Sequence, residues 1–192
     1  MRTASITRKT NETDIKLSIN LDGTGKHSIS TGIGFFDHML TAFSVHSGID
    51  IDLKVVGDLI VDDHHTVEDT GIALGQAFAL ALGDKAGIAR YGTAFIPMDE
   101  ALGFASLDIS GRPYLVFNAE FNDDRTGDYD NCLTEEFWRA FAMNALITLH
   151  TSCGYGKNDH HKNEAIFKAV AHALKDALKI NGSTVLSSKG VL

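Results

Sequence analysis

A five-residue pattern occurs twice in this 192-residue chain, and the spacing of its copies constrains the fold more than any other feature. The copies are His64-His65-Thr66-Val67-Glu68 and His160-His161-Lys162-Asn163-Glu164. Each reads H-H-x-x-E, follows an aspartate (Asp63, Asp159) and leads into an alanine-rich apolar run. The copies lie 96 residues apart, half the chain length. A cluster of metal-ligand side chains recurring at that interval argues for a duplicated domain with two metal sites.

The periodicity between the copies agrees. Residues 3–10 and 13–21 alternate polar and apolar, with Ile15, Leu17 and Ile19 on one face, and read as two strands joined by a turn at Asn11-Glu12. A third strand is expected at 26–30, a helix at 35–47, a strand at 49–57 and a helix at 64–82 with Asp62 or Asp63 as N-cap. The second half predicts strands at 94–98, 103–109 and 114–121 and a polar loop at 122–131. A helix at 134–145, a strand at 147–152, a helix at 160–180 and an irregular tail follow. Each half therefore reads strands, helix, strand, helix. No linker rich in proline or glycine divides them, so residues 1–92 and 93–192 are expected to pack as one domain.

Helical geometry limits what H-H-x-x-E can bind. Successive helix residues point about 100° apart, so adjacent histidines suit two different ions rather than one. The glutamate lies four residues after the first histidine and three after the second, within reach of either. Imidazole and carboxylate suit Mn, Fe, Co or Zn, and the absence of thiolate argues against a structural zinc site. One histidine pair at a helix start reads as a solvated surface feature. Two pairs, each with its glutamate, at the half-length interval read as metal ligands. His38 is a further imidazole. Arg90, Arg112, Lys168 and Ser187-Ser188-Lys189 are candidate anion binders, Arg112 because it sits in a tight turn between two expected strands.

Bulk properties exclude some classes. A net charge of -8 is unsuited to general binding of nucleic acid or an acidic membrane. Cys132 and Cys153 lack zinc or redox spacing and are expected as free thiols. The N-terminal residues carry no apolar signal stretch, and no apolar run is long enough to span a membrane. A soluble, cytoplasmic protein is the expectation.

Beyond these readings, the chain resembles the imidazoleglycerol-phosphate dehydratase family along its whole length. The resemblance rests on Arg8-Lys9-Thr10-Asn11-Glu12-Thr13, Gly34-Phe35-Phe36-Asp37-His38-Met39-Leu40 and Asp62-Asp63-His64-His65-Thr66-Val67-Glu68-Asp69. It continues through Arg90-Tyr91-Gly92, Pro97-Met98-Asp99-Glu100-Ala101, Asp108-Ile109-Ser110-Gly111-Arg112-Pro113, the 157–164 segment and Ser187-Ser188-Lys189-Gly190. It implies an α+β fold of duplicated half-domains, with two four-stranded sheets sandwiching a four-helix bundle. It also implies a homo-oligomer of 24 subunits whose metal sites are completed by neighbours.

Carried over by position, the metal ligands would be His38, His64, His65, Glu68, His160, His161 and Glu164, holding two Mn²⁺ ions. The family commonly has a further histidine where this chain has Glu136, and a carboxylate there still suits a hard ion. His38, His64, Glu68 and His160 would border the substrate as well. His46 and Asp99 would be additional contacts, and Arg90, Arg112, Lys168, Ser187, Ser188 and Lys189 would hold the phosphate.

The implied reaction removes water from imidazole glycerol phosphate, a step of histidine biosynthesis. Its difficulty is a carbon-bound proton with no adjacent carbonyl. Lewis-acid activation of the substrate imidazole lets the ring help expel the hydroxyl beside it, after which a base takes the neighbouring proton. Glu12 and Glu164 are the proton-transfer candidates. Glu12 is favoured because metal ligation would lower the basicity of Glu164, although without the resemblance Glu12 reads as a solvated turn residue. A dinuclear metal phosphohydrolase or a non-catalytic metal-binding assembly would use similar ligands.

Overall fold

The computed structural model describes residues 1–190. Its elements are β1 (Thr3–Lys9), β2 (Thr13–Asn20), β3 (His27–Ser30), α1 (Gly34–Ser47), β4 (Asp50–Gly57), α2 (His64–Leu82), β5 (Tyr91–Met98), β6 (Ala101–Asp108) and β7 (Tyr114–Asn118). These are followed by β8 (Arg125–Thr126), β9 (Tyr129–Asp130), α3 (Leu133–Ala145), β10 (Thr148–Cys153) and α4 (Asp159–Ala177).

The two sheets repeat one topology. The first has order β1-β2-β4-β3 and the second β5-β6-β10-β7. In each, a hairpin pairs antiparallel with the strand before the second helix, and that strand pairs parallel with the short edge strand. Alternation explains which face is covered: Ile15, Leu17 and Ile19 on β2 and Ile51, Leu53 and Val55 on β4 are all buried. Helix α2 packs on β1 and β2, and α4 on β5 and β6. The remaining helices join them, α3 against α2 and α1 against α4, so the four helices lie between the sheets.

An aromatic cluster drawn from all four helices fills the centre. Trp138 and Phe141 of α3 pack with Phe43 of α1, while Phe78 of α2 and Phe167 of α4 close the group. Close approach elsewhere depends on small residues. A Cβ added at Gly71 would lie 2.7 Å from the Phe137 carbonyl, and one at Gly75 would lie 2.6 Å from that of Phe141. Helices α2 and α3 therefore run side by side in the same direction.

Some boundaries differ from expectation. Strand β5 begins at Tyr91 rather than Ala94, because Tyr91 to Met98 pair fully with β6. Strand β7 ends at Asn118 rather than 121, where its pairing with β10 stops at Ser152. The expected 122–131 loop contains a small ribbon, β8 with β9. Helix α4 stops at Ala177 instead of 180. Both cysteines are free thiols. No helix among the described residues is long and apolar enough to cross a membrane.

Candidate metal centre

The N-termini of α1 and α4 are held so that three ligand-type side chains converge. Helix α1 has no capping side chain at Ile33. The cap comes from far along the chain: the Asp128 carboxylate accepts from the Gly34 N–H (2.6 Å) and the Phe35 N–H (3.0 Å). Asp37 accepts from the Thr31 N–H and hydroxyl at 2.8 and 2.6 Å, which fixes the entry to the helix. On α4, Asn158 caps locally by accepting from the His160 N–H at 2.9 Å. Asp159 turns the other way, accepting from the N–H groups of Asn122 and Asp123 and pairing with Lys162. The polar 122–131 segment thus ties the starts of both helices together. Asp128→Ala should cost about 1 kcal/mol, the usual value of an N-cap. A thermal melt of the metal-free protein checks this, the expected result being a lower Tm.

The consequence is a cluster of His38, His160 and Glu164, whose ligand atoms all lie within 4.8 Å of one another. Glu164 Oε2 is 3.3 Å from His160 Nε2 and 3.8 Å from His38 Nε2. The edge of Phe35 packs against His160, ring centroids 5.0 Å apart. Glu164 is buried, and burial disfavours its charge. The Lys168 ammonium, 2.7 Å away, reverses that effect with help from His38 and His160, and the carboxyl sits below its ordinary range. Two imidazole nitrogens and an ionised carboxylate make a donor set that fits a divalent transition ion.

The first copy of the pattern is more open. His64 Nε2 and Glu68 Oε2 are 3.7 Å apart, and both side chains are about 43% exposed. Glu136 lies in the first turn of α3 and pairs with Arg139 at 3.6 Å. Asp63 does not cap α2 through its side chain, which is drawn to Arg125 and the Asp130 N–H. Asp62 does so instead, accepting from the His64 N–H at 2.8 Å.

The adjacent histidines turn to different partners: His64 faces Glu68 and His160 faces Glu164, while His65 and His161 face Asp58 and Glu100. The second histidine of each pair meets a carboxylate on Nδ1, Asp58 for His65 at 3.0 Å and Glu100 for His161 at 2.7 Å. These hydrogen bonds raise the affinity of both imidazoles for protons. In turn the His161 contact, with two backbone N–H groups, lowers Glu100 to about 2. The other ring nitrogen, Nε2, lies 3.7 Å from Glu12 in the case of His65 and 3.7 Å from Asp99 in the case of His161. Glu12 and Asp99 occupy equivalent places, each at the hairpin turn that opens its half.

The anion-binding candidates divide into two groups. Arg90, Ser187 and Ser188 line one cleft with the tail. Arg90 forks onto Asp108 at 2.6 and 3.0 Å and donates to the Leu186 carbonyl, while Arg112 reaches Asp108 at 3.4 Å. Lys189 follows in the tail, its N–H donating to the Ser187 hydroxyl. Lys168 belongs elsewhere, with Glu164 and, at 3.7 Å, Met98. Arg90 precedes β5 and Met98 ends it. At about 3.3 Å per residue, a strand of that length puts the two groups roughly 25 Å apart. His46 lies with the Lys168 group, its Nδ1 3.1 Å from His172 Nε2, and burial and then the Lys168 charge lower its proton affinity.

Sequence reasoning missed Asp58, Glu100, Asp128 and His172. Glu100 stands inside a motif whose neighbour Asp99 attracted notice. The partners of the other three are set by tertiary proximity, and no periodic signal marks them.

The family model for imidazoleglycerol-phosphate dehydratase matches residues 31–174. The chain belongs to that family. An imidazoleglycerol-phosphate dehydratase of Streptococcus sanguinis is 57% identical over 194 residues, covering all of both chains. One from Clostridium novyi is 58% identical, covering 96% of this chain and 95% of that protein. The crystal structure of the Staphylococcus aureus dehydratase superposes with TM-score 0.84 at 43% identity, covering 95% of this chain and 99% of that one. That of Pyrococcus furiosus gives 0.83 at 38% identity, covering 97% and 100%.

Proposed function

We infer that this chain is a hydro-lyase of histidine biosynthesis that dehydrates imidazole glycerol phosphate to imidazole acetol phosphate. The observation that carries the reading is the His38–His160–Glu164 cluster, in a chain that matches dehydratases along its full length. The residues that would hold two Mn²⁺ ions are His38, His64, His65, Glu68, Glu136, His160, His161 and Glu164. The ions would supply Lewis acidity toward the substrate imidazole. Residues 1–192 act as a single domain of two repeats, about 1–92 and 93–192, which the common strand order of the sheets supports.

The protein's own groups account for the rest. Glu12 is the proton-transfer group: its carboxylate is half exposed and already faces His65 Nε2. Glu164 is less suited, because Lys168 and the two histidines hold it ionised. The phosphate is gripped by Arg90, Arg112, Ser187, Ser188 and Lys189, with Lys168, His46 and Asp99 as contacts nearer the metal cluster. Binding energy at the phosphate, remote from the reacting carbons, then orients the substrate. Within one chain the tail cleft and the metal cluster stand too far apart for one glycerol phosphate chain to bridge. Among the described residues the open His64–Glu68 pair likewise lacks a gathered third ligand. Both features support sites shared between neighbouring copies, in an assembly of 24.

Incubation of metal-stripped protein with imidazole glycerol phosphate and Mn²⁺, Fe²⁺, Co²⁺ or Zn²⁺ tests the reading. A new ketone with the phosphate ester intact is expected; release of free phosphate would overturn it. Glu12→Gln should retain Mn²⁺ and substrate binding while slowing turnover by about 10²–10⁴-fold, the usual contribution of a general acid or base. Steady-state kinetics beside calorimetric binding checks this, and near-normal turnover would remove Glu12 from proton transfer.

A further inference from the structure

The carboxylates on His65 and His161 do not follow from the duplication. The 96-residue interval between the helices carries Asp58 to Gly154, and the turn before β2 that matches the Glu100 turn holds Glu12, which meets Nε2 of His65 and not Nδ1. Asp58 comes from the segment between β4 and α2, and Glu100 from the turn between β5 and β6. Two non-equivalent loops have nevertheless delivered a carboxylate to the same atom of equivalent histidines.

That atom matters because an ionised carboxylate only accepts hydrogen bonds, so the proton must sit on Nδ1. The hydrogen bond on one ring nitrogen decides which nitrogen keeps its lone pair. In both rings Nε2 is then the free donor, and it is the nitrogen turned toward the Glu12 and Asp99 hairpins. We propose that Glu100 and Asp58 are positioning residues that hold His161 and His65 in the tautomer that ligates a metal through Nε2, Glu100 more rigidly than Asp58.

The difference in rigidity follows from the other partners. While Oε2 of Glu100 faces His161, Oε1 accepts from the N–H groups of Lys157 (2.9 Å) and Asn158 (2.7 Å). Asn158 is also the N-cap of α4, so one carboxylate fixes the start of the helix and the orientation of its histidine. Both oxygens of Asp58 face the same Nδ1, at 3.0 and 3.2 Å, which leaves the group free to rock about its one target. The His161 half of the metal site is therefore the better prepared.

The proposal rests on the metal-binding reading above, and its test separates the two. In long-range ¹H–¹⁵N spectra of metal-free protein at alkaline pH, His65 and His161 are expected as Nδ1–H tautomers. Glu100→Ala should release His161 from that form without changing His65, and Asp58→Ala should do the converse. Calorimetric titration with Mn²⁺ should show affinity falling about 10–100-fold in Glu100→Ala, the usual cost of losing a partner that orients a ligand, and less in Asp58→Ala. Glu100→Gln has one acceptor oxygen where the carboxylate uses two. Kept on the Lys157 and Asn158 N–H groups, it turns an amide donor toward Nδ1. His161 should then move to the Nε2–H tautomer with the affinity loss unrepaired and the metal-free melt close to the original, which answers any folding defect in the alanine variant. An Nε2–H tautomer for His161 in the unmodified protein, or Mn²⁺ affinity in Glu100→Ala within about twofold of the original, would overturn the proposal. If the unmodified protein takes up no Mn²⁺, the metal reading fails and the tautomer spectra still decide the positioning role.

Discussion

His64→Ala combined with His160→Ala should abolish dehydration and lower the Mn²⁺ content of the protein. His160 is one of three side chains in the α1–α4 cluster, so its loss leaves His38 with a Glu164 that Lys168 already holds. Glu164 would then stay on the ammonium, and the site would keep one imidazole. His64 is the partner of Glu68, and its loss leaves that carboxylate with no nearby imidazole from the first position of the pattern. Both histidine side chains are about 40% exposed, so their removal opens no cavity in the core. The metal-free variant should accordingly melt with the unmodified protein, which separates a ligand effect from misfolding. Elemental analysis after loading and dialysis gives the metal content, and the dehydration assay gives activity. Full metal occupancy in the double variant would sink the ligand assignment.

Gly92→Ala should destabilise the protein strongly. Gly92 lies on β5, where the backbone of α4 comes down on the sheet, and an added Cβ would collide with the Ala173 carbonyl oxygen. That obstacle is helix backbone, not the end of a flexible side chain. Relief would require lifting α4 off β5 and β6, the surface that seats the helix bearing His160, His161 and Glu164. Overpacking typically costs about 1–3 kcal/mol, and a backbone obstacle belongs at the upper end. A loss of about 3 kcal/mol lowers the Tm of a chain this size by roughly 6–12 °C. Gly154→Ala is the control: nothing lies within 4 Å of its added Cβ, and the melt should hardly move. Equal melts for the two variants would show that α4 has room to shift.

The two positions also show how far sequence reasoning reached. Helix α2 was legible in full, Asp62 included as a capping candidate, because capping and apolar periodicity act within a few residues. Strands β2 and β4 were legible because one face is buried, which forces the two-residue alternation. The end of α3 falls at Ala145 as expected, but its cap was not legible: Leu146 takes a left-handed conformation (φ 57°) where α1 has Gly48 (φ 77°), and nothing local marks a leucine for that role. The start of β5 was missed because Tyr91 and Gly92 join the strand through pairing with Asp108 and Leu107.

For the site, the H-H-x-x-E spacing alone brought out two repeated sets of ligand-type side chains. The helical angle between neighbours sends the two histidines of each pair in different directions, and they meet different carboxylates. Which residues meet is set by packing across the core. His38 joins His160 and Glu164 because α1 and α4 lie side by side in the same direction, with Asp128 holding one N-terminus and Asn158 the other. Asp58 and Glu100 reach His65 and His161 from loops that share no repeat position. Side-chain chemistry and local angles are properties of neighbouring residues and can be read along the chain. Which carboxylate comes to rest on which imidazole depends on helices and sheets packing across the core, and linear spacing carries no record of that distance.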